Sequence, residues 1–136
     1  MTEKKMIKYD GGCICGEIKF TVELDEKPRV FNCHCVDCRK KLGGIITIIQ
    51  LRKNALKIDE SKLSTFTHSG GSKNIITKSF CKKCAAPVTT YVEKWGVSYL
   101  YAGLLNDISS LKQARNIFYE DSHFPFMKIN EKELLT

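Results

Sequence analysis

Apolar side chains recur at every second position in several short runs of this chain. From Glu17 to Leu24, the residues Ile18, Phe20, Val22 and Leu24 share one face, the mark of a half-buried strand. Ile45 to Leu51 (IITIIQL) is β-branched and almost wholly apolar, which predicts a strand buried on both faces. Shorter strands are expected at Leu56–Ile58, Ser64–His68, Asn74–Phe80, Pro87–Val92, Val97–Ala102 and Asn116–Tyr119, with Gly70-Gly71 as a hairpin-type turn. Val30 to Asn32 leads into a cysteine-rich stretch. Val36 to Leu42 has room for one or two helical turns before Gly43-Gly44, and Asn106 to Ala114 predicts a short helix with Asn106 or Asp107 as its N-cap. The remainder reads as a polar start (MTEKKMIKYD) before a Gly11-Gly12 turn, an irregular segment over His123–Ile129 and a frayed tail over Asn130–Thr136. Many short strands with turns between them predict a mostly-β fold.

A length of 136 residues suits one domain, able to bury roughly two thirds of its unfolded surface. The 43% hydrophobic and 27% charged content fits neither disorder nor a membrane span. The start is charged and lacks the apolar core of a signal peptide, and no run approaches the ~18 apolar residues of a transmembrane helix. A cytoplasmic location is the expectation. The formal charge is +7, yet its densest groups are short: Lys4-Lys5, Arg39-Lys40-Lys41 and Lys82-Lys83. Without a long basic block, the charge reads as a solvated surface and nucleic acid is not an expected partner.

Cysteine changes the picture. Seven of them in a chain read as cytoplasmic, clustered and odd in number, point to metal rather than disulfides. In Phe31–Lys40 (FNCHCVDCRK), Cys33, Cys35 and Cys38 lie on a C-x-C-x-x-C spacing from which all three sulfurs can reach one ion. Zinc is the expected ion, since it takes thiolates at about 2.3 Å in a tetrahedron and is redox-silent. Three ligands leave a fourth position to fill. Cys13 with Cys15, and Cys81 with Cys84, make two further pairs that together suit a closed four-thiolate site. Spacing alone also permits Cys13 and Cys15 to share an ion with two of the middle trio. Neither C-x-x-C has the strand-then-helix setting of thioredoxin-like redox chemistry. Near the trio, His34 sits between two ligands and is expected to turn away from the metal, while Asp37 suits a turn cap or a proton acceptor. His68 and His123 are isolated and read as surface or packing residues. Trp95, Tyr99 and Tyr101 read as an aromatic packing cluster.

The segments GGCICGEIKF, CHCVDCRK, FCKKC, YAGLLND and IFYEDSHFPF, in that order, resemble the glutathione-dependent formaldehyde-activating enzyme family, also called centromere protein V-like. The resemblance covers about residues 10–127 of a single domain spanning 1–136, and all seven cysteine positions match. It implies a β-tent of antiparallel sheets built around zinc–cysteine sites. It further implies a structural zinc held by Cys13, Cys15, Cys81 and Cys84, and a second zinc, assigned to catalysis, held by Cys33, Cys35 and Cys38. The implied reaction is that of a carbon–sulfur lyase, joining glutathione to formaldehyde as S-hydroxymethylglutathione. A zinc with three thiolates carries a formal charge of −1, so it is a poor Lewis acid and better suited to holding a substrate thiol as thiolate. Arg39 is the candidate partner for a glutathione carboxylate, with Lys40 and Lys41 more simply read as solvated. The chain departs from the family in four places: Ala85-Ala86 follows Cys84 where a glycine is usual, AGLLND matches only in part, Asn116 replaces a common histidine, and Phe126 a common tryptophan. Alanine carries a steric penalty at positive φ, so an altered turn after Cys84 is expected. The alternative function is a non-catalytic, zinc-stabilised binding module for nucleic acid or a protein partner, which the +7 charge allows.

Overall fold

The structure, a computed structural model, describes residues 5–70, 73–129, 132 and 134–135. Two sheets make the fold. The smaller has three antiparallel strands in the order β1 (Met6–Gly12), β2 (Lys19–Asp25), β5 (Leu56–Ile58). The larger has eight strands. Its core is β3 (Val30–Cys33), β4 (Ile46–Gln50), β9 (Val97–Tyr101), β8 (Pro87–Val92), β7 (Ile75–Cys81) and β6 (Leu63–Ser69), paired antiparallel in that order. β10 (Arg115–Ile117) joins β3 in parallel, and β11 (Leu134–Leu135) joins β10 likewise. Two short α-helices, α1 (Val36–Leu42) and α2 (Tyr119–Ser122), and two 3-10 turns at Glu60–Lys62 and Ala102–Leu104 complete the described elements. The expected mostly-β architecture of antiparallel sheets is what the chain adopts. Among the described residues no helix is long and apolar enough to cross a membrane.

Cross-strand partners explain where the two cores sit. Val30, Ile49 and Leu100 are paired across β3, β4 and β9 and point toward the small sheet. There they meet Phe20, Val22 and Leu24 of β2, each under 5% exposed. Burying such a side chain is worth ~1.5–3 kcal/mol relative to leaving it in water. Phe31, Ile48 and Tyr101, one residue over on the same three strands, line the opposite face with Cys33, Cys38 and Ile46. β4 is therefore buried on both faces, as its apolar sequence predicts.

Four expectations need correction. No strand is expected in the polar start, yet Met6–Gly12 forms an edge strand along the whole of β2. Gly11 and Gly12 belong to that strand rather than to a turn: a Cβ on Gly11 would collide with the Phe20 ring and lie 2.5 Å from the Leu104 carbonyl oxygen. Asn106–Ala114 forms no helix. The Asn106 N–H goes back to the Asp10 carbonyl (2.9 Å), the Asp107 carboxylate takes the Ser109 N–H (2.9 Å), and Leu111 and Ala114 pack irregularly on the first core. The end of the chain is not wholly a tail, since Leu134–Leu135 pairs with β10; the rest of Asn130–Thr136, apart from position 132, lies outside the described residues, as does Gly71 of the expected Gly70-Gly71 turn.

Candidate metal centres

Both cysteine groups assemble, and each is made by local turns. In the first, the Cys13 and Cys15 sulfurs are 3.4 Å apart and Cys15 lies 3.7 Å from Cys81. Cys84 completes a group of four whose sulfurs all lie within 4.8 Å of one another. The bend between β1 and β2 supplies one pair and the turn between β7 and β8 the other. Backbone N–H groups aim at these sulfurs: Ile18 at Cys13 (3.3 Å), Glu17 at Cys15 (3.4 Å), Lys83 and Cys84 at Cys81 (3.3 and 3.5 Å). Such donors favour thiolate over thiol and fix its direction. The turn after Cys84 keeps a left-handed residue, Ala85 at φ 63°, with its N–H on the Cys81 carbonyl at 2.9 Å. Alanine thus occupies the conformation that glycine would take more cheaply, and the turn is strained rather than rebuilt.

The second group lies in the other core. Cys33 ends β3, Cys35 caps the N-terminus of α1, and Cys38 sits in the first turn of that helix. The Cys35 sulfur accepts the Cys38 N–H at 3.3 Å, and Gly43, left-handed at φ 83°, closes the helix by donating to the Arg39 carbonyl at 2.7 Å. Sulfur separations are 2.8 Å for Cys35–Cys38 and 3.2 Å for Cys38–Cys33. A tetrahedral thiolate shell at ~2.3 Å spaces its sulfurs by ~3.8 Å. The four-cysteine group is near that spacing; the trio is inside it and would spread on taking an ion.

Protons are shared unequally within each group. Hydrogen bonds from the Cys33 and Cys38 thiols, aided by the Cys38 N–H and the Lys78 charge, hold Cys35 down to about 2. The same neighbours act in reverse on their partners: Cys35 pushes Cys33 up to about 11, and Cys33 and Cys35 push Cys38 well above the usual thiol range. In the first group burial opposes ionisation of Cys13, yet the Ile18 N–H and the adjacent thiols bring it down to about 6. Cys15 goes up to about 12, its neighbouring thiols and burial overriding the Glu17 N–H. Cys84 is lowered as well, chiefly by the Ala86 backbone, so each group mixes thiols that ionise readily with thiols that hold their protons, and a divalent cation would displace those protons.

Other sequence candidates divide. His34 is 3% exposed and does not join the sulfurs: its Nε2 pairs with Asn116 Oδ1 at 2.8 Å, its Nδ1 has no partner among the described residues, and its ring meets Tyr119 edge-on at 5.1 Å. Asn116 is thus spent on orienting His34. Arg39 is half-buried on α1 and lines a small hollow with His34, Ile45 and His123. Asp37 is half-buried beside Gly70, and the cap of α1 is Cys35 instead. His123 stacks on Tyr119 at 3.9 Å, and His68 on Phe66 at 5.4 Å, both as packing residues. The expected aromatic cluster forms only in part, since Tyr99 and Tyr101 share the second core and Trp95 lies apart. Trp95 is 58% exposed on the β8–β9 turn, while Tyr99 packs edge-on to Phe31 at 6.3 Å. Sequence reasoning missed Lys78 and Thr90 as buried polar residues, and it read Tyr101, which packs in one core with Cys33 and Cys38, for packing alone. A cleft of about 500 Å³ opens elsewhere, over the paired β1 and β2 beside Cys13, and none of the trio lines it.

Two clusters of cysteines, one of four and one of three, each able to hold a metal ion, sit in a mostly-β fold of antiparallel sheets. The sequence model of the glutathione-dependent formaldehyde-activating enzyme family matches residues 8–121, and the chain belongs to that family. A curated relative from Halomonas elongata, provisionally named a glutathione-dependent formaldehyde-activating enzyme, is 28% identical over 97 residues, which are 63% of this chain. The match spans 57% of that relative's length. A solved structure of a Rhodobacter sphaeroides protein has the same fold, with a TM-score of 0.57 at 20% identity, over 81% of this chain and 99% of that one.

Proposed function

We propose that this single domain, residues 1–136 with its core over 10–127, is a zinc enzyme of carbon–sulfur bond chemistry that adds a thiol to an aldehyde. The observation that carries the reading is the trio: Cys33, Cys35 and Cys38 converge, and among the described residues no fourth side chain joins them. The family name supports glutathione and formaldehyde as the thiol and the aldehyde, and a carbon–sulfur lyase as the class. Cys13, Cys15, Cys81 and Cys84 are assigned a closed structural zinc, and Cys33, Cys35 and Cys38 the catalytic one.

When bound at the trio, zinc supplies a position at which a substrate thiol is held as its thiolate, the nucleophilic form. In the reaction the thiol gives up its proton, the sulfur lone pair forms the C–S bond to the aldehyde carbon, and the carbonyl π pair moves to oxygen, which takes up a proton. The chain's own part is positioning. Cys33 and Cys38 are buried and Cys35 half-buried, so a substrate sulfur approaches from the Cys35 side, beside the N-terminus of α1. Arg39, one turn along the helix, is placed to take a glutathione carboxylate. His34, tied to Asn116, is held out of the coordination sphere and leaves the fourth position free. Exchange NMR on glutathione plus formaldehyde tests the reading, with zinc-loaded protein against Cys35→Ser. Faster exchange with the native protein alone supports it; exchange at the spontaneous rate sinks it.

A further inference from the structure

Lysine is almost never buried without a counter-charge, and Lys78 in the middle of β7 is only 5% exposed. Among the described residues the ion pairs are Arg52–Asp25 and Lys62–Glu17, and neither is near it. Lys78 sits opposite Thr90 of β8, which is 8% exposed. The Thr90 hydroxyl lies 3.0 Å from the hydroxyl of Tyr101, and Tyr101 packs in one core with Cys33 and Cys38. Lys78, Thr90 and Tyr101 therefore form a buried polar row, one residue from each of three adjacent strands, on the sheet face that carries the trio. α1 reaches the β7 end of this row: Lys41 sits over the Phe66 and Phe80 rings of β6 and β7. Thr90 in turn sits opposite Tyr99 of β9, so Lys78, Thr90 and Tyr99 share the sheet face on which Tyr99 packs in one core with Cys33 and Cys38.

Charge counting gives this placement a purpose. A divalent ion on three thiolates has a net charge of −1, and a substrate thiolate in the fourth position raises it to −2. In a buried setting the second negative charge is costly unless a cation lies close by. Water or an imidazole in the same position adds no charge and needs no such help.

We propose that Lys78 is a specificity-determining residue of the trio, compensating the charge added by a fourth, anionic sulfur ligand and so selecting thiolates over neutral ligands. The inference rests on the reading of the trio as a thiol-binding centre. Lys78 acts through the charge of the site and not by contact with the reacting carbon, which makes it a positioning residue. Tyr101 and Thr90 seal the floor around it and hold no charge of their own.

The test uses whole protein loaded with cobalt(II), whose sulfur-to-metal charge-transfer and d–d bands report ligation at the trio. Native protein, Lys78→Met and Lys78→Arg are each titrated with glutathione, with 2-mercaptoethanol (which has no carboxylate) and with imidazole. Lys78→Gln stands in where Lys78→Met does not fold, as judged by far-ultraviolet circular dichroism. Loss of the cation is expected to weaken both thiols by roughly thirtyfold or more while leaving imidazole unchanged, with Lys78→Arg restoring thiol binding. Undiminished thiol binding in Lys78→Met overturns the role of Lys78 and leaves the thiol-binding centre standing. A loss confined to glutathione also overturns it, since Lys78 would then serve a carboxylate. A parallel loss of imidazole marks a merely structural residue and does the same. If native protein binds neither thiol, the reading of the centre fails and the inference with it.

Discussion

Cys15→Ser and Cys35→Ser each remove one sulfur ligand, yet the fold should respond to them very differently. Cys15 is exposed, so serine there removes the ligand without opening a cavity. Its group bridges Cys15 and Cys81, 66 positions apart, and so ties the β1–β2 bend to the β7–β8 turn. The trio spans only five positions, from Cys33 to Cys38. Treating closure by an ion like a covalent cross-link, chain entropy assigns about 4 kcal/mol to the long loop and about 2 kcal/mol to the short one. With an unfolding entropy of ~2.1 cal/mol/K per residue, these become falls in Tm of about 15 °C and about 7 °C. Thermal melts followed by circular dichroism, with zinc content measured on each sample, read both numbers. Each variant should hold one ion fewer than the native protein. The reasoning is refuted if Cys15→Ser melts within about 3 °C of native, or if Cys35→Ser costs more stability than Cys15→Ser.

Three further outcomes follow from single residues. Ala85→Gly relieves a left-handed alanine and should raise stability by about 1 kcal/mol in urea melts, with no change in zinc content; a loss of stability would show that the turn is not strained. Tyr101 is pushed up to about 12 by burial, against the hydrogen bond from Thr90. Its folded pKa lies above the unfolded value, so its contribution is fully present below pH 10, falls as pH rises, and is gone above about 12. That is a loss of ~3 kcal/mol in all, and urea melts at stepped pH should show a shallower decline in Tyr101→Phe. Asn116→Leu leaves the His34 Nε2 without its partner and should cost about 1–3 kcal/mol in the same melts; an unchanged midpoint would mean the pair does not orient His34.

What the sequence made legible was what depends on neighbours along the chain. C-x-C and C-x-x-C spacings bring sulfurs together through one turn each, and both groups of cysteines form as their spacing allows. Alternation exposed β2, and a continuous β-branched run exposed β4. β1 carries no such signal, because only Gly11 along it is buried and its pairing is decided by β2. Asn106–Ala114 offers helix-capping residues, but Asp107 is used in a turn and the apolar residues are drawn to the core one at a time. Lys78 was illegible for a related reason. A lysine in an alternating strand reads as solvent-facing, and its burial arises from three strands and a helix that meet only in the fold.

The central claim is that the trio has a fourth position open to a thiol while the four-cysteine centre has none. Cadmium-113 NMR on cadmium-loaded protein tests it most directly, because the resonance moves downfield with each sulfur ligand. Two resonances are expected, the more upfield one belonging to the trio. Glutathione should shift that resonance downfield and leave the other in place. A pair of resonances that both ignore glutathione, or that move together, would contradict the claim.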